Sequence, residues 1–370
     1  MAPSSTASRT VSTLDRARGC LLGGAVGDAL GAPVEFLSLA QIEERFGALG
    51  IQELAPAYGL LGAITDDTQM TLFTAEGLIR AHVRSKAEGA CHPPSVIHHA
   101  LLRWLHTQGQ ESPAFPKTGA TWPDGWLIQQ RELHQRRAPG VTCVTALKRA
   151  VKLGELARND SKGCGGVMRV APIGLFVPSA DEHSEAAPPL AFQMAGESAQ
   201  STHGHPSSTL ASGFFALVIA HLLRGRSLHE AIAASKPWVL REASSDEVVA
   251  AIDSAVSLAG SDAPSAPSAV ERLGGGWVAE EALAIALFCA LRAESFEHAV
   301  RLAVNHSGDS DSTGSMTGQL LGTLWGIASV PERWLQQVEL ATVTDELARD
   351  LLAAATGQDT QQLAQRYPGW

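Results

Sequence analysis

The sequence predicts an all-α fold, read as one domain, and three observations carry that prediction. Apolar residues recur at three- and four-residue steps along most of the chain, and no long strand alternation competes with them. Aromatic residues make up only 5% of the 370 positions while Ala, Gly and Leu abound, which suits closely packed helices better than a β-sandwich. Glycine also recurs every four residues in two places, at Gly19, Gly23, Gly27 and Gly31, and again at Gly314, Gly318, Gly322 and Gly326.

Taken in order, residues 1 to about 12 are polar, lack an apolar core of the secretory kind and read as a disordered leader to a domain over 13–370. The first glycine stripe follows. A glycine inside a helix costs about 1 kcal/mol relative to Ala, so four on one face require a packing reason. A four-residue step drifts slowly around a helix and leaves a strip without side chains, against which another backbone can lie closely. The expectation is that both striped helices are central and pack tightly against neighbours, each other included, so that the two ends of the chain meet in the core.

Within 69–83, Leu72, Ala75, Ile79 and Val83 mark one buried helical face. The same reading gives helices over 94–106, 141–153, 208–223, 245–258, 280–292, 295–304 and 314–328. Stretches rich in Pro, Gly and Ser at 112–123, 177–189 and 260–267 read as surface loops rather than domain boundaries. No apolar run reads as long and uniform enough to span a bilayer.

The net charge of −10 gives no general attraction to nucleic acid or anionic membranes, and no basic stripe interleaves with aromatics. A nucleotide-sized ligand in a local pocket remains compatible, because metals or backbone N–H groups can neutralise its phosphates. The five cysteines are scattered and form no C-x-x-C pair, which fits a reducing cytoplasm and neither a disulfide framework nor a zinc site.

Two acidic clusters carry the chemistry. Thr65-Asp66-Asp67-Thr68 precedes the helical segment at 69, and Asp309-Ser310-Asp311-Ser312-Thr313 precedes the second glycine stripe. Read singly, each is an ordinary helix cap, since Asp, Ser and Thr satisfy exposed N–H groups and carboxylates favour the positive end of the helix dipole. Two carboxylates in each exceed what a cap can use, and gathering four in one place repels unless a cation compensates. Oxygen donors without a paired His/Cys set suit Mg²⁺, Mn²⁺ or Ca²⁺.

Five motifs in order, GCLLGGAVGDALGAPVEF (19–36), ITDDTQMTL (64–72), SKGCGGVMRVAPIGL (161–175), THGHP (202–206) and NHSGDSDSTG (305–314), resemble the ADP-ribosylglycohydrolases. This group includes the dinitrogenase reductase-activating glycohydrolase and the ADP-ribosylarginine hydrolases. The resemblance implies a single compact, orthogonally packed helical domain with two Mg²⁺ ions, for which Mn²⁺ substitutes. By position, it implies Thr65, Asp66, Asp67, Asp309, Asp311 and Ser312 as metal ligands and Glu35 as a gating or orienting group. Ser312 in the last ligand position is closer to the arginine-specific relatives than to the serine-specific ones. It also implies an ADP-ribose cradle at Ser161, Gly163, Cys164, Gly165 and Gly166, a second contact at Gly140 where the 141 helix opens, and His203 beside the terminal ribose or diphosphate. Neither glycine loop fits the P-loop pattern, Asp28 reads as a buried hydrogen-bonder, Arg169 as a partner of a carboxylate beneath the site, and Cys164 lacks the adjacent base of a thiol nucleophile.

The implied reaction is hydrolysis at ribose C1 of an ADP-ribosylated protein side chain, N-linked arginine first, with ADP-ribose as product ligand. Asp67 or Asp311 would accept the proton of the attacking water, with Glu35 a third candidate. The rival readings are a hydrolase for another acceptor (serine, O-acetyl-ADP-ribose or a nucleic-acid base) and a non-catalytic, crystallin-like binder. A third, an HD-class phosphohydrolase, lacks its His-Asp doublet here, since the chain offers only His98-His99.

Overall fold

The computed structural model describes residues 11–115, 123–177, 189–358 and 360–368. The described helices run in the order α1 (Thr13–Gly31), α2 (Leu39–Phe46), α3 (Asp66–Glu88), α4 (Pro93–Thr107), α5 (Val141–Arg149), α6 (Ala171–Phe176), α7 (Leu190–Gln200) and α8 (Pro206–Leu223). They continue as α9 (Leu228–Leu240), α10 (Asp246–Ala259), α11 (Pro267–Val270), α12 (Ala279–Leu291), α13 (Phe296–Val304), α14 (Ser310–Trp325), α15 (Glu332–Leu335), α16 (Ala341–Ala355) and α17 (Thr360–Arg366). The one small sheet among the described residues is the hairpin of β1 (Pro56–Ala57) and β2 (Leu60–Leu61). Its two-residue turn, Tyr58-Gly59, takes positive φ at both positions, as tight hairpins require.

The glycine stripes meet each other. A Cβ placed on Gly23 would lie 2.6 Å from the Gly318 carbonyl oxygen, and one on Gly19 or Gly27 would run into the backbone of Gly322 or Gly314. Gly31 would collide in the same way with Ser310 and Asp311. The pairing is antiparallel and in register, so that each turn of α1 faces one turn of α14 with no side chain between them. Around this pair α16 packs on α1, while α12 and α13 pack on α14. Both ends of the chain therefore build the centre, as the stripes predict.

Several boundaries shift for identifiable reasons. α3 begins at Asp66 rather than 69, because Thr65 caps it by accepting from Asp67 N at 3.3 Å. Asp66 and Asp67 thus form its first turn. α14 starts at Ser310 and stops at Trp325, where Gly326 leaves the helix with φ 79°. α5 ends at Arg149, short of the expected 153. α2, α7, α9 and α16 were not among the sequence-predicted helices, although α2 and α9 carry complete capping boxes at Ser38/Gln41 and Ser227/Glu230.

Two expectations are corrected. Pro206–Leu223 is long and apolar enough by length and composition to cross a membrane, but 83% of it is buried inside the fold, where α6, α7 and α9 pack on it. Ser12, placed in the expected leader, caps α1 by accepting from Asp15 N at 3.0 Å. Residues 1–10 and most of the loops predicted at 112–123 and 177–189 lie outside the described residues.

Leucine at position 23 or 318 would force the two backbones apart, a clash no rotamer relieves. Gly23→Leu and Gly318→Leu are each expected to cost about 3 kcal/mol, the upper end of the overpacking range. Gly260→Ala, whose Cβ meets nothing closer than 3.5 Å, serves as the control and should melt within about 0.5 kcal/mol of wild type. Equal melting of all three proteins would show that the glycine contact is not what holds α1 to α14.

Candidate functional site

Register carries the two acidic clusters together. Gly31, at the C-terminal end of α1, abuts Ser310 and Asp311 at the N-terminal end of α14. One turn earlier, the buried carboxylate of Asp28 accepts from Thr65 N (3.0 Å), Thr65 Oγ1 (2.9 Å), Thr68 N (3.1 Å) and Thr68 Oγ1. α1 therefore holds the start of α3 by Asp28 and the start of α14 by Gly31. Burial, with the charge of Asp311 next, pushes Asp28 up to about 7. Its four donors give it the buried hydrogen-bonding role read from the sequence.

The clusters open on one cavity of about 500 Å³, lined by Asp66, Asp67, Asp309, Asp311, Ser312 and Glu35, and also by Gly140, Gly163, Cys164, Gly165, Met168 and His203. Oxygens of Glu35, Asp309 and Asp311 lie within 4.8 Å of one another. Burial holds Asp66, Asp67 and Asp309 well above the carboxylate range, and the charge of Asp311 adds to each shift. Glu35 is pushed up to about 11 by burial and then by Asp311 and Asp309. Asp67 Oδ1 and Glu35 Oε2 are buried with no hydrogen-bond partner among the described residues.

Such a group of oxygens lacks positive charge, and it fits a hard divalent cation. The positive ends of α3 and α14 supply part of what is missing. Thr65 is wholly buried behind the cavity. Its hydroxyl gives its proton to Asp28 and accepts from Asp67 N, which leaves one lone pair for a further partner.

The cradle differs from its expected form. Gly140 N donates to Asp66 Oδ2 at 3.0 Å, so this N–H orients a carboxylate and is not available to a phosphate. Cys164 N donates to the Trp277 carbonyl at 3.2 Å, and Gly163 N to Ser161 Oγ at 3.4 Å. Close packing explains two of the glycines: a Cβ on Gly165 would lie 2.7 Å from Cys143 Sγ, and one on Gly166 would strike Ser208 Oγ. Gly166 does not line the cavity. Ser161 lies in an adjoining hollow of about 540 Å³ that shares Val141 and Thr142 with the first. Cys164 Sγ contacts Asp309 Oδ2 at 2.7 Å.

His203 is buried, shares a hydrogen bond with Thr202 Oγ1 at 2.8 Å and is pushed down to about 3 by burial and by Arg169, so it is neutral. Among the described residues, Arg169 pairs with no carboxylate. It donates to the carbonyls of Gly165 and Ser198 (3.2 Å) and to Thr202 Oγ1 (2.8 Å), tying the 161–166 loop to α7.

Three features were missed. Arg137 forms a buried pair with Glu339 and donates to the Ile64 carbonyl at 3.0 Å, fixing the chain just before Thr65. The sequence separates these two residues by 202 positions, which hides the pair. Phe36 and Trp277 line the cavity as a stacked aromatic pair, for which the Gly274-Gly275-Gly276 run before Trp277 was the available signal. Phe36 (φ 69°) and Ala138 (φ 45°), both at the cavity, hold left-handed backbone that side chains ordinarily avoid.

Residues 9–361 match the family described as ADP-ribosylglycohydrolase. ADP-ribosylarginine hydrolase Tri1 of Serratia proteamaculans is 25% identical over 353 residues, covering 94% of this chain and 81% of that protein. The ADP-ribosyl-dinitrogen reductase glycohydrolase of Rhodospirillum rubrum is 25% identical over 355 residues, covering 93% and 98%. A solved structure described as an ADP-ribosylglycohydrolase-related protein complex aligns with a TM-score of 0.66 at 27% identity, covering 93% of this chain and 99% of that one.

The electrostatics give a test independent of activity. In EDTA, Asp67→Asn is expected to melt higher than wild type, by about 1 kcal/mol or more, because one repelling buried carboxylate is removed. Excess Mg²⁺ should raise the melting temperature of wild type and much less that of the variant. A carboxylate whose folded pKa is raised binds more protons folded than unfolded, so its destabilising effect fades as the pH falls. The Mg²⁺-induced rise should therefore shrink between about pH 7 and about pH 5. Neutral buried histidines such as His203 act equally with and without Mg²⁺ and cancel. A variant that melts lower in EDTA would contradict this reading.

Proposed function

Because the chain belongs to the ADP-ribosylglycohydrolase family, we propose that it is a magnesium-dependent hydrolase that frees ADP-ribose from N-linked arginine on modified proteins. The family's members are hydrolases acting on glycosyl bonds of ADP-ribosylated proteins. The observation that carries the proposal is the unpartnered Asp67 Oδ1, buried in a cavity shared with Asp66, Asp309, Asp311 and Glu35. The resemblance to the Serratia ADP-ribosylarginine hydrolase supports arginine as acceptor. All five cysteines are free, which supports a cytoplasmic location.

Thr65, Asp66, Asp67, Asp309, Asp311 and Ser312 would hold two Mg²⁺, or Mn²⁺ in their place, supplying positive charge against the ribose hydroxyls and the site's own carboxylates. The protein's part is to bind, orient and move protons. Asp66 is held by Gly140 N, and Asp311 Oδ1 by Ser312 N at 2.9 Å, so both keep fixed orientations while the sugar is bound. Asp67 Oδ1, which no donor among the described residues reaches, accepts the proton of the water that attacks ribose C1. Asp311 is the alternative acceptor. Glu35 stands in the same oxygen cluster and is placed to pass a proton to the departing guanidine nitrogen. Positive charge building on the ribose is stabilised by the surrounding carboxylates, as in other glycoside hydrolyses. The 161–166 loop and its adjoining hollow give the rest of ADP-ribose room to lie.

Release of ADP-ribose from an arginine-modified peptide should require Mg²⁺ or Mn²⁺ and stop in excess EDTA. Asp67→Asn and Asp311→Asn are each expected to lower kcat about a thousandfold while the far-UV circular dichroism stays that of the wild type. Full turnover in EDTA, or in either variant, would exclude the mechanism. Turnover of a serine-modified peptide in preference to the arginine one would exclude the linkage and leave the hydrolase.

A further inference from the structure

Phe36 and Trp277 stand where neither core packing nor solubility would put them. Phe36 is 66% exposed and Trp277 43% exposed. Their rings stack on each other with centroids 5.5 Å apart and planes 19° from parallel. Both line the cavity that holds the carboxylates. Phe36 has φ 69°, a conformation that a bulky side chain avoids, so the chain keeps a strained backbone in order to hold an aromatic ring in water.

Both rings are tied to the acidic centre. Glu35, next to Phe36, donates its N–H to the Gly31 carbonyl at 3.0 Å, one turn from Asp28. The Trp277 carbonyl accepts from Cys164 N, and the Gly275 carbonyl from Asp309 N at 2.8 Å. Gly276, with φ 79°, turns the chain between these two anchors. The pair is thus a wall of the cavity anchored to the segments that carry its carboxylates.

We propose that this wall is the acceptor subsite, where the planar cationic guanidinium of an arginine side chain lies against the aromatic pair. The inference rests on the arginine-linked reading above and names what enforces it. Aromatic faces attract cations, and a flat guanidinium gains stacking contact as well. The electron-rich ring faces thus discriminate by charge as well as by shape. A serine-linked substrate brings no planar cation and gains nothing from the wall. A nucleobase would stack too, but it lacks the positive charge that the ring faces attract.

The experiment compares kcat/KM on two peptides of one sequence, modified on arginine or on serine, and on ADP-ribosylated DNA. Phe36→Gly and Trp277→Ala should each lower the arginine-to-serine ratio about tenfold, while Trp277→Phe should keep most of it. Phe36→Gly should melt at or above wild type, since glycine accepts φ 69° without strain. A ring held only for structure would instead give a lower melting temperature with an unchanged ratio, and that result overturns the proposal. An equal fall on both peptides overturns it as well, as does a wild type that prefers ADP-ribosylated DNA. A wild type that acts only on the serine peptide overturns the arginine reading itself, whereas an arginine preference unmoved in both variants overturns the wall alone.

Discussion

Everything at this site follows from two helices that touch backbone to backbone. α1 and α14 run antiparallel with glycine facing glycine at 19/322, 23/318 and 27/314, and the last step, Gly31 against Ser310, delivers the start of α14 to the end of α1. No side chain could occupy these positions without separating the helices. The register is therefore set by exclusion rather than by any specific bond. It places a carboxylate-bearing helix start beside Asp28, and Asp28 in turn holds the start of α3 through Thr65 and Thr68. Segments nearly 250 residues apart in sequence are brought to one cavity by one glycine strip and one buried carboxylate.

The arrangement gathers negative charge at a cost to stability. Asp66, Asp67, Asp309 and Glu35 are all displaced towards their protonated forms by burial and by the charge of Asp311. Part of the cost is offset locally by two helix N-termini and by the Gly140 N–H on Asp66. What is left favours a cation, and the unpartnered oxygens of Asp67 and Glu35 mark where the protein's own donors stop. Backbone strain collects at the same place, at Phe36 and Ala138. A fold that tolerates both is spending stability at its cavity, which is the usual signature of a site kept for chemistry.

The sequence made much of this legible, and the limits have physical causes. The four-residue glycine step reports backbone contact directly, so the pairing of the chain's two ends could be read without coordinates. The acidic clusters were legible as residue types, but their helical position was not, because a cap and a first turn differ only in where Thr65 sits. The cradle was only partly legible. Glycine at 163–166 signals open backbone, yet it does not say whether that space goes to a ligand or to Cys143, His203 and Ser208. The Gly140 N–H looked free for an anion and is taken by Asp66. Arg137–Glu339 was invisible because it is a contact across 202 residues with no local pattern, and for Phe36–Trp277 the glycine run before Trp277 marked an open turn but not its distant partner.

The central claim is that α1 and α14 bring six oxygen-bearing residues together to hold two divalent cations. The most direct test is the stoichiometry and position of Mn²⁺, counted by electron paramagnetic resonance of free ion during titration and located by anomalous diffraction from crystals grown in Mn²⁺. The account predicts two ions per chain, both between Asp66-Asp67 and Asp309-Asp311. Saturation without bound ion, or ions bound away from these four carboxylates, would contradict it.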